Sequence, residues 1–506
     1  MASSALLSRR GFLAASSATA LALPVSAKPV LRRAPALRTP SRAAWEALAE
    51  KMTGPVVRPW DPDYFKLALP DNLRYALNFP QGIARCMTDD DVATAIAWSR
   101  ENNIPLITRS GGHSYAGYST TTGLMIDMKL MQRIDFDPAT GIVTVAGGAI
   151  NNHIYEKLAD ANVTITHARC PSVGAAAFLL GGGIGFNMRE YGLACDQVTA
   201  TRLVKADGAM VEMKMGDNDA FKRELFWACQ GGGGGNFGIS TSFSMKTIPV
   251  APGTITVFKI IWTDKPEEVA VTLMRALESA PAKLGSRVSL GAVTPQQIRE
   301  GKNVTVNLLG QFKGPKSDFM DIMKPVFDVA RPERSGTSIQ EMPYWEAQET
   351  FLAEPPDPTF YQERSAFMVH KISDDALQTG FKHLREWPGT SGYCDLRFFQ
   401  TGDAVNAVKP DDTAFVHRGN EWLMVVGLYW GFADQVNAKR MAANHAWQND
   451  FYHAMLPFCG GGAYQNFPDP SLVDWRQSYY GENLDRLVKV KNAVDPDRVF
   501  NFAQAL

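Results

Sequence analysis

Five consecutive glycines, Gly231–Gly235, followed by Asn236-Phe237-Gly238, constrain this chain more than any other stretch. Lacking a Cβ, such a backbone can adopt φ > 0 and lie close against another backbone or a flat ligand. Gly233 to Gly238 satisfies the GxGxxG spacing, which in a dinucleotide site follows a strand and opens a helix. Here the order is reversed. Asp219–Cys229 carries a helical pattern before the glycines, and Ser240–Met245 reads as a strand after them. A nicotinamide-nucleotide fold is therefore rejected, and no GxxxxGK[ST] phosphate loop occurs. A second run, Gly181-Gly182-Gly183, closes a segment read as a short helix over Pro171–Leu180, with proline in its first turn. The start of such a helix offers unpaired N–H groups to an anionic or electron-rich ligand.

At 506 residues the chain exceeds one ordinary core, so two domains are expected. A helix is read over Ser41–Lys51, and Asp89-Asp90-Asp91 is expected to cap another that carries Val92, Ala95, Ile96 and Ser99 on one face. Ile104–Thr108 reads as a strand that delivers the loop Arg109-Ser110-Gly111-Gly112-His113-Ser114-Tyr115. Arg133–Asp137 and Ile142–Ala146 flank a turn and read as a hairpin. Composition changes at Pro249–Gly253. Beyond it, strand-like Thr254–Trp262 and helix-like Pro266–Ser279 begin an alternation that suits an antiparallel sheet backed by helices, hence an α+β fold. The expected boundaries are an export segment 1–27, a linker with helix 28–69, a cofactor domain 70–249, a substrate domain 250–440 and a C-terminal segment 441–506.

The N-terminus has its own character. Ser8-Arg9-Arg10-Gly11-Phe12-Leu13 leads into an alanine-rich stretch ending Val25-Ser26-Ala27, the layout of a twin-arginine export signal cleaved after Ala27. Its apolar run is too short to span a bilayer, which argues against stable membrane insertion. Export of an already folded chain implies a bacterial periplasmic or secreted protein. Lys+Arg 51 against Asp+Glu 52 gives a net charge of -1 and no reason to expect nucleic acid as a partner. Six cysteines without a CxxC and eight histidines without HxxxH or HExxH argue against a metal site.

His113 and Cys170 are two nucleophiles in glycine-rich, close-approach settings, and together they read as anchors for one covalently held cofactor. Five segments specify it. RSGGHSYAGYS at 109–119, CPSVGAAAFLLGGGIGFNMREYGLACDQV at 170–198, ELFWACQGGGGGNFGI at 224–239, DAVNAVKPDDTAFVHRG at 403–419, and AYQNFPD at 463–469 with the sequence to Leu506 resemble the berberine-bridge-enzyme-like flavoprotein oxidases. These belong to the vanillyl-alcohol-oxidase superfamily with a PCMH-type FAD-binding domain. The resemblance covers the chain after about residue 70, with the motifs in order.

It implies FAD bonded through its 8α-methyl to His113 and through C6 to Cys170. Arg109, Ser110, Gly111, Gly112 and Ser114 would form the pyrophosphate loop. Gly174, Gly182, Gly183 and Gly185 match a second lining, Asn236 and Ile239 the adenine end. Tyr464, in Tyr464-Gln465-Asn466-Phe467, matches the residue that acts as base in several relatives, a part that needs a lowered pKa. The alternative for Tyr464 is a half-buried tyrosine holding the flavin edge, and Asn466, in the same motif, is expected to bind the cofactor. Tyr115 matches a position over the flavin. Tyr429, on a strand read over Trp422–Trp430, is a further catalytic candidate or else a packed sheet aromatic. Tyr393, Asp395 and Arg397 share a strand face by period two and are expected to line the cleft. Val173 stands where the family's oxidases have valine and its dehydrogenases leucine, which implies O2 as acceptor. The implied activity is oxidation of a secondary alcohol, sugar hemiacetal or related C–H bond. The alternatives are a dehydrogenase serving a quinone or cytochrome, and a flavin-binding protein without turnover.

Overall fold

Residues 39–168, 170–250, 252–351 and 359–506 are described in the computed structural model, so the export signal read over 1–27 lies outside the described residues. The first described helix, Arg42–Lys51, is capped by the Ser41 hydroxyl, which accepts from Ala44 N. The next long helix, Asp89–Glu101, buries Val92, Ala95, Ile96 and Ser99 as their spacing requires. Its cap is Thr88 rather than the aspartates. The Thr88 hydroxyl accepts from Asp91 N, and Asp91 Oδ2 accepts in return from Thr88 N, a capping box.

Two sheets build the cofactor side. Gly82–Arg85, Leu124–Asp127 and Leu106–Arg109 run parallel, with the two-residue strand Val56–Val57 added antiparallel at the edge. The middle strand is buried throughout, as a parallel strand covered on both faces must be. The second sheet is antiparallel, in the order Ile134–Asp137, Ile142–Ala146, Ile239–Lys246, Val198–Val204, Met210–Lys214. The expected hairpin supplies its first pair. The glycine run lies between the helix Ala220–Ala228 and the strand Ile239–Lys246, the reverse of the dinucleotide order.

The segment after Cys170 departs from expectation. The helix begins at Ala175, not Pro171. Residues 171–174 form a turn and a bridge rather than helix because the carbonyls of Pro171 and Val173 are already engaged: Pro171 O accepts from Asn152 N, Val173 O from Asn151 N, and Ala175 N donates back to Ala149 O.

Seven antiparallel strands make the third sheet, in the order Ser338–Met342, Ile255–Trp262, Thr305–Lys313, Leu284–Gly291, Cys394–Gln400, Trp422–Trp430, Phe360–Met368. The helices Pro266–Glu278, Lys316–Val329, Asp374–Arg385 and Ala438–Met455 bury an apolar core against one face, with Phe258, Trp262, Leu273, Phe319 and Trp422 fully enclosed. Each such side chain contributes roughly 1.5–3 kcal/mol by leaving water. The helix Ala438–Met455 packs on this sheet and runs through residue 440, so the boundary expected there falls inside a helix. The opposite face of the sheet is polar and aromatic, and it lines the site. Among the described residues no helix is long and apolar enough to cross a membrane.

Candidate active site

The strand Leu106–Arg109 ends where the chain must turn sharply, and Gly112 does so at φ 91°. The neighbouring Gly111 serves packing. A methyl there would stand 2.3 Å from Gly174 N and 2.7 Å from Ser172 O, so only glycine lets the His113 loop lie against the Cys170 loop. Gly174 returns the contact, since its own methyl would meet the Ser110 hydroxyl at 2.2 Å. This glycine pair brings the two nucleophiles together. His113 Nε2 is 2.9 Å from the Ser172 hydroxyl, and Cys170 Sγ is 3.6 Å from the same oxygen. On the other edge of the imidazole, Nδ1 is 3.6 Å from Asp71 Oδ1, while Asp71 Oδ2 accepts from the Tyr361 hydroxyl at 2.9 Å. Burial pushes the His113 pKa down despite Asp71, which favours the neutral ring.

Both nucleophiles open onto a cavity of about 940 Å³ that also reaches Ser110, Ser114, Val173 and Gly185. The run Gly233–Gly235 forms another wall; a methyl on Gly234 would have no protein atom nearer than 3.7 Å. Buried polar atoms without partners gather here: the Tyr118 and Ser240 hydroxyls and the side-chain oxygens of Gln465 and Gln504. Orphaned groups of this kind call for a polar ligand. A glycine-walled cavity of this size fits FAD.

Several expected contacts take a different form. Arg109 does not line the cavity. Its guanidinium is buried and donates to the carbonyls of Leu67, Ala68, Leu69 and Ser119, and burial lowers its pKa to about 10. It ties the loop to the preceding segment and offers no charge to a phosphate. Gly182 and Gly183 lie behind the wall rather than on it: Gly182 packs under Phe415 and Tyr464, and Gly183 N donates to the Tyr464 hydroxyl at 3.0 Å. Asn236 and Ile239 line the cavity, but the Asn236 amide is spent on the protein, donating to Gly232 O and accepting from Leu506 N.

Tyr464 and Asn466 do reach the cavity. The Tyr464 oxygen accepts from Gly183 N and from Asn466 Nδ2 at 3.3 Å. Burial nonetheless pushes its pKa well above the ordinary phenol value, so the lowered pKa expected of a base is absent in this structure. Tyr115 stacks on Phe467 with ring centroids 4.8 Å apart and meets Tyr361 edge-on.

The sheet wall joins Tyr393, Arg397 and Tyr429, expected from the sequence, to Tyr361 and Glu363, which were not. Tyr361 and Tyr429 are register partners and stack, and Tyr393 stacks on Tyr429 at 4.3 Å. Tyr429 is a cavity residue, not a sheet aromatic packed against a helix. Its hydroxyl donates to the buried carboxylate of Glu363, and Arg397 bridges Glu363, Asp395 and the same hydroxyl. Burial raises the Tyr429 pKa; Arg397 opposes this and Glu363 adds to it. The crossing is allowed by Gly427, where a methyl would stand 2.3 Å from Arg397 Nη2 and 2.6 Å from Asp395 Oδ1. Asp71, Ser172, Tyr361 and Glu363 were not singled out from sequence. Ser172 sits inside the CPSVG segment, but Asp71 and Glu363 carry no local signal at all.

A covering glycine cradle, paired nucleophiles and a cavity of this size define an FAD-linked oxidoreductase. Family models agree: the FAD binding domain matches residues 80–214, and the berberine and berberine-like domain matches 463–506. The chain is 30% identical over 460 residues to an uncharacterized FAD-linked oxidoreductase of Bacillus subtilis, YgaK, covering 90% of this chain and 97% of that one. It is 30% identical to berberine bridge enzyme-like 1 of Arabidopsis thaliana (82% and 81% covered) and 26% identical to the glucooligosaccharide oxidase of Sarocladium strictum (83% and 86%). The solved structure of Physcomitrella patens BBE-like 1 superposes with a TM-score of 0.80 at 24% identity, covering 91% of this chain and 98% of that one. This chain belongs to the berberine-bridge-enzyme-like family of FAD-linked oxidoreductases.

Proposed function

We propose that the protein is an exported oxidase that carries FAD bonded to His113 and Cys170, removes hydride from an alcohol, sugar hemiacetal or related C–H bond, and reduces O2 to hydrogen peroxide. The observation that carries this reading is the convergence of His113, Cys170, Val173 and Tyr464 on one cavity beside the Tyr429–Glu363–Arg397 wall. FAD bound there supplies the hydride acceptor and passes the electron pair on. Ser110, Gly111, Gly112 and Ser114 would hold it, without a charge from Arg109.

Tyr464 takes the proton of the substrate O–H. The N–H groups of Gly183 and Ile184 and the Asn466 amide all favour its phenolate, and burial, with Cys195 acting the same way, outweighs them. The base form therefore grows as pH rises, and kcat/KM is expected to climb with pH on its alkaline side. Tyr429, held by Glu363, and Tyr115, held by Phe467, orient the substrate. Val173 supports O2 as acceptor, the Sarocladium relative supports a sugar substrate, and the twin-arginine N-terminus supports export.

Anaerobic mixing with a panel of sugars, aromatic alcohols and amines tests this. An oxidase substrate bleaches the flavin, and O2 restores its colour rapidly. Slow restoration identifies a dehydrogenase, and a loaded protein that no panel member bleaches favours the flavin-binding alternative. Tyr464→Phe should lower kcat by about 10²–10⁴-fold with flavin content unchanged.

A further inference from the structure

We propose that Ser172 and Asp71 handle the protons of cofactor attachment: Ser172 passes the Cys170 thiol proton to the His113 imidazole, and Asp71 holds the charge that the imidazole acquires. This rests on the reading that His113 and Cys170 both bond to one FAD. The Ser172 hydroxyl touches both, 2.9 Å from His113 Nε2 and 3.6 Å from Cys170 Sγ. A hydroxyl donates and accepts at once, so it can receive a proton from sulfur while giving its own to nitrogen. The need is chemical, because the thiolate and not the thiol is the nucleophile.

Asp71 faces the opposite ring nitrogen at 3.6 Å and is fixed from three sides. The Tyr361 hydroxyl donates to its other oxygen, its N–H donates to Gly112 O, and its carbonyl accepts from Thr359 N. Nε2 takes the proton, so the flavin bond falls to Nδ1, and Asp71, at 3.6 Å too far for a hydrogen bond, stabilises the resulting imidazolium by charge alone. Lys129 is the cation that opposes it. In the bond-forming step the sulfur–carbon bond forms, the S–H bond and one flavin ring C–H bond break, and the flavin takes up two electrons. O2 then removes two electrons and two protons as hydrogen peroxide, and the imidazole returns to its neutral form. Ser172 and Asp71 are positioning residues: neither becomes bonded to the cofactor.

The test compares loaded wild type with Ser172→Ala, Ser172→Thr and Asp71→Asn. Each protein is denatured and alkylated with iodoacetamide. Peptide mapping then gives the alkylated fraction of Cys170, and acid precipitation gives the flavin retained. Wild type should show Cys170 blocked. Ser172→Ala should keep flavin through His113 while Cys170 becomes mostly alkylated, and Ser172→Thr should restore blocking. Asp71→Asn, which preserves shape, should block Cys170 at least tenfold more slowly after induction. Ser172→Ala and Asp71→Asn proteins with Cys170 blocked as fast and as fully as in wild type would overturn the proposal. Wild type with free Cys170 and no retained flavin would instead overturn the two-bond reading beneath it.

Discussion

Gly111→Ala and Gly234→Ala separate two uses of glycine in this site. At Gly111 the new methyl would stand 2.3 Å from Gly174 N, 2.7 Å from Ser172 O and 3.0 Å from Gly174 Cα, all of them backbone atoms. Ordinary contact needs about 3.5 Å, so the loops carrying His113 and Cys170 must part by roughly 1 Å. Overpacking of that size costs about 1–3 kcal/mol. The 2.9 Å bond from His113 to Ser172 spans the same gap, and stretching it by roughly 1 Å breaks it, for about 1 kcal/mol more. At Gly234 the nearest atom is Ala177 Cα at 3.7 Å, so the methyl enters the cavity without straining the fold. Urea unfolding of cofactor-free protein, read beside the flavin-to-protein absorbance ratio, distinguishes them. Gly111→Ala should lose roughly 2–4 kcal/mol and much of its acid-stable flavin. Gly234→Ala should stay within about 0.5 kcal/mol of wild type and still load poorly. Wild-type stability in the first variant, or full loading in the second, would refute the reasoning.

Three further outcomes follow from the same contacts. Arg109→Met strands the carbonyls of Leu67, Ala68, Leu69 and Ser119, so stability should fall by about 3 kcal/mol or more in urea, equally with and without FAD. Gly427→Ala drives Arg397 off Glu363 and leaves a buried carboxylate without its cation, which should cost about 3–5 kcal/mol in the same assay. Burial holds His167 at about 4 and His417 at about 3, whereas unfolded histidines titrate near 6.5. The unfolded chain therefore binds more protons in that window, and stability should drop as pH falls from about 6.5 towards 4, by about 3 kcal/mol from His167 alone. A urea midpoint that is flat over that range would contradict this.

The sequence was legible where a signal is local. The strand read over Trp422–Trp430 and the hairpin around residue 140 stand in the structure because their alternation is set by neighbours one or two residues away. The helix after Cys170 was read too long, because the carbonyls of Pro171 and Val173 are engaged by Asn151 and Asn152, which periodicity cannot reveal. Arg109 was read for its charge and its place beside glycines. Its true partners are carbonyls, three of them some forty residues upstream and one, that of Ser119, ten residues downstream. Tyr464 was legible as a cavity residue but not in its ionisation, which burial controls. Asp395 and Arg397 were legible as one strand face, but only sheet register brings Glu363 to them across the intervening strand, and the vacant side of Gly427 makes room for the network. Asp71 reaches His113 across 42 residues of chain and could not be read in advance.

Intact mass under denaturing conditions tests the central claim most directly. Wild type and Cys170→Ala should each carry the mass of the chain plus one FAD, and the double variant His113→Ala/Cys170→Ala should carry the chain alone. A wild-type mass equal to the bare chain would contradict the account.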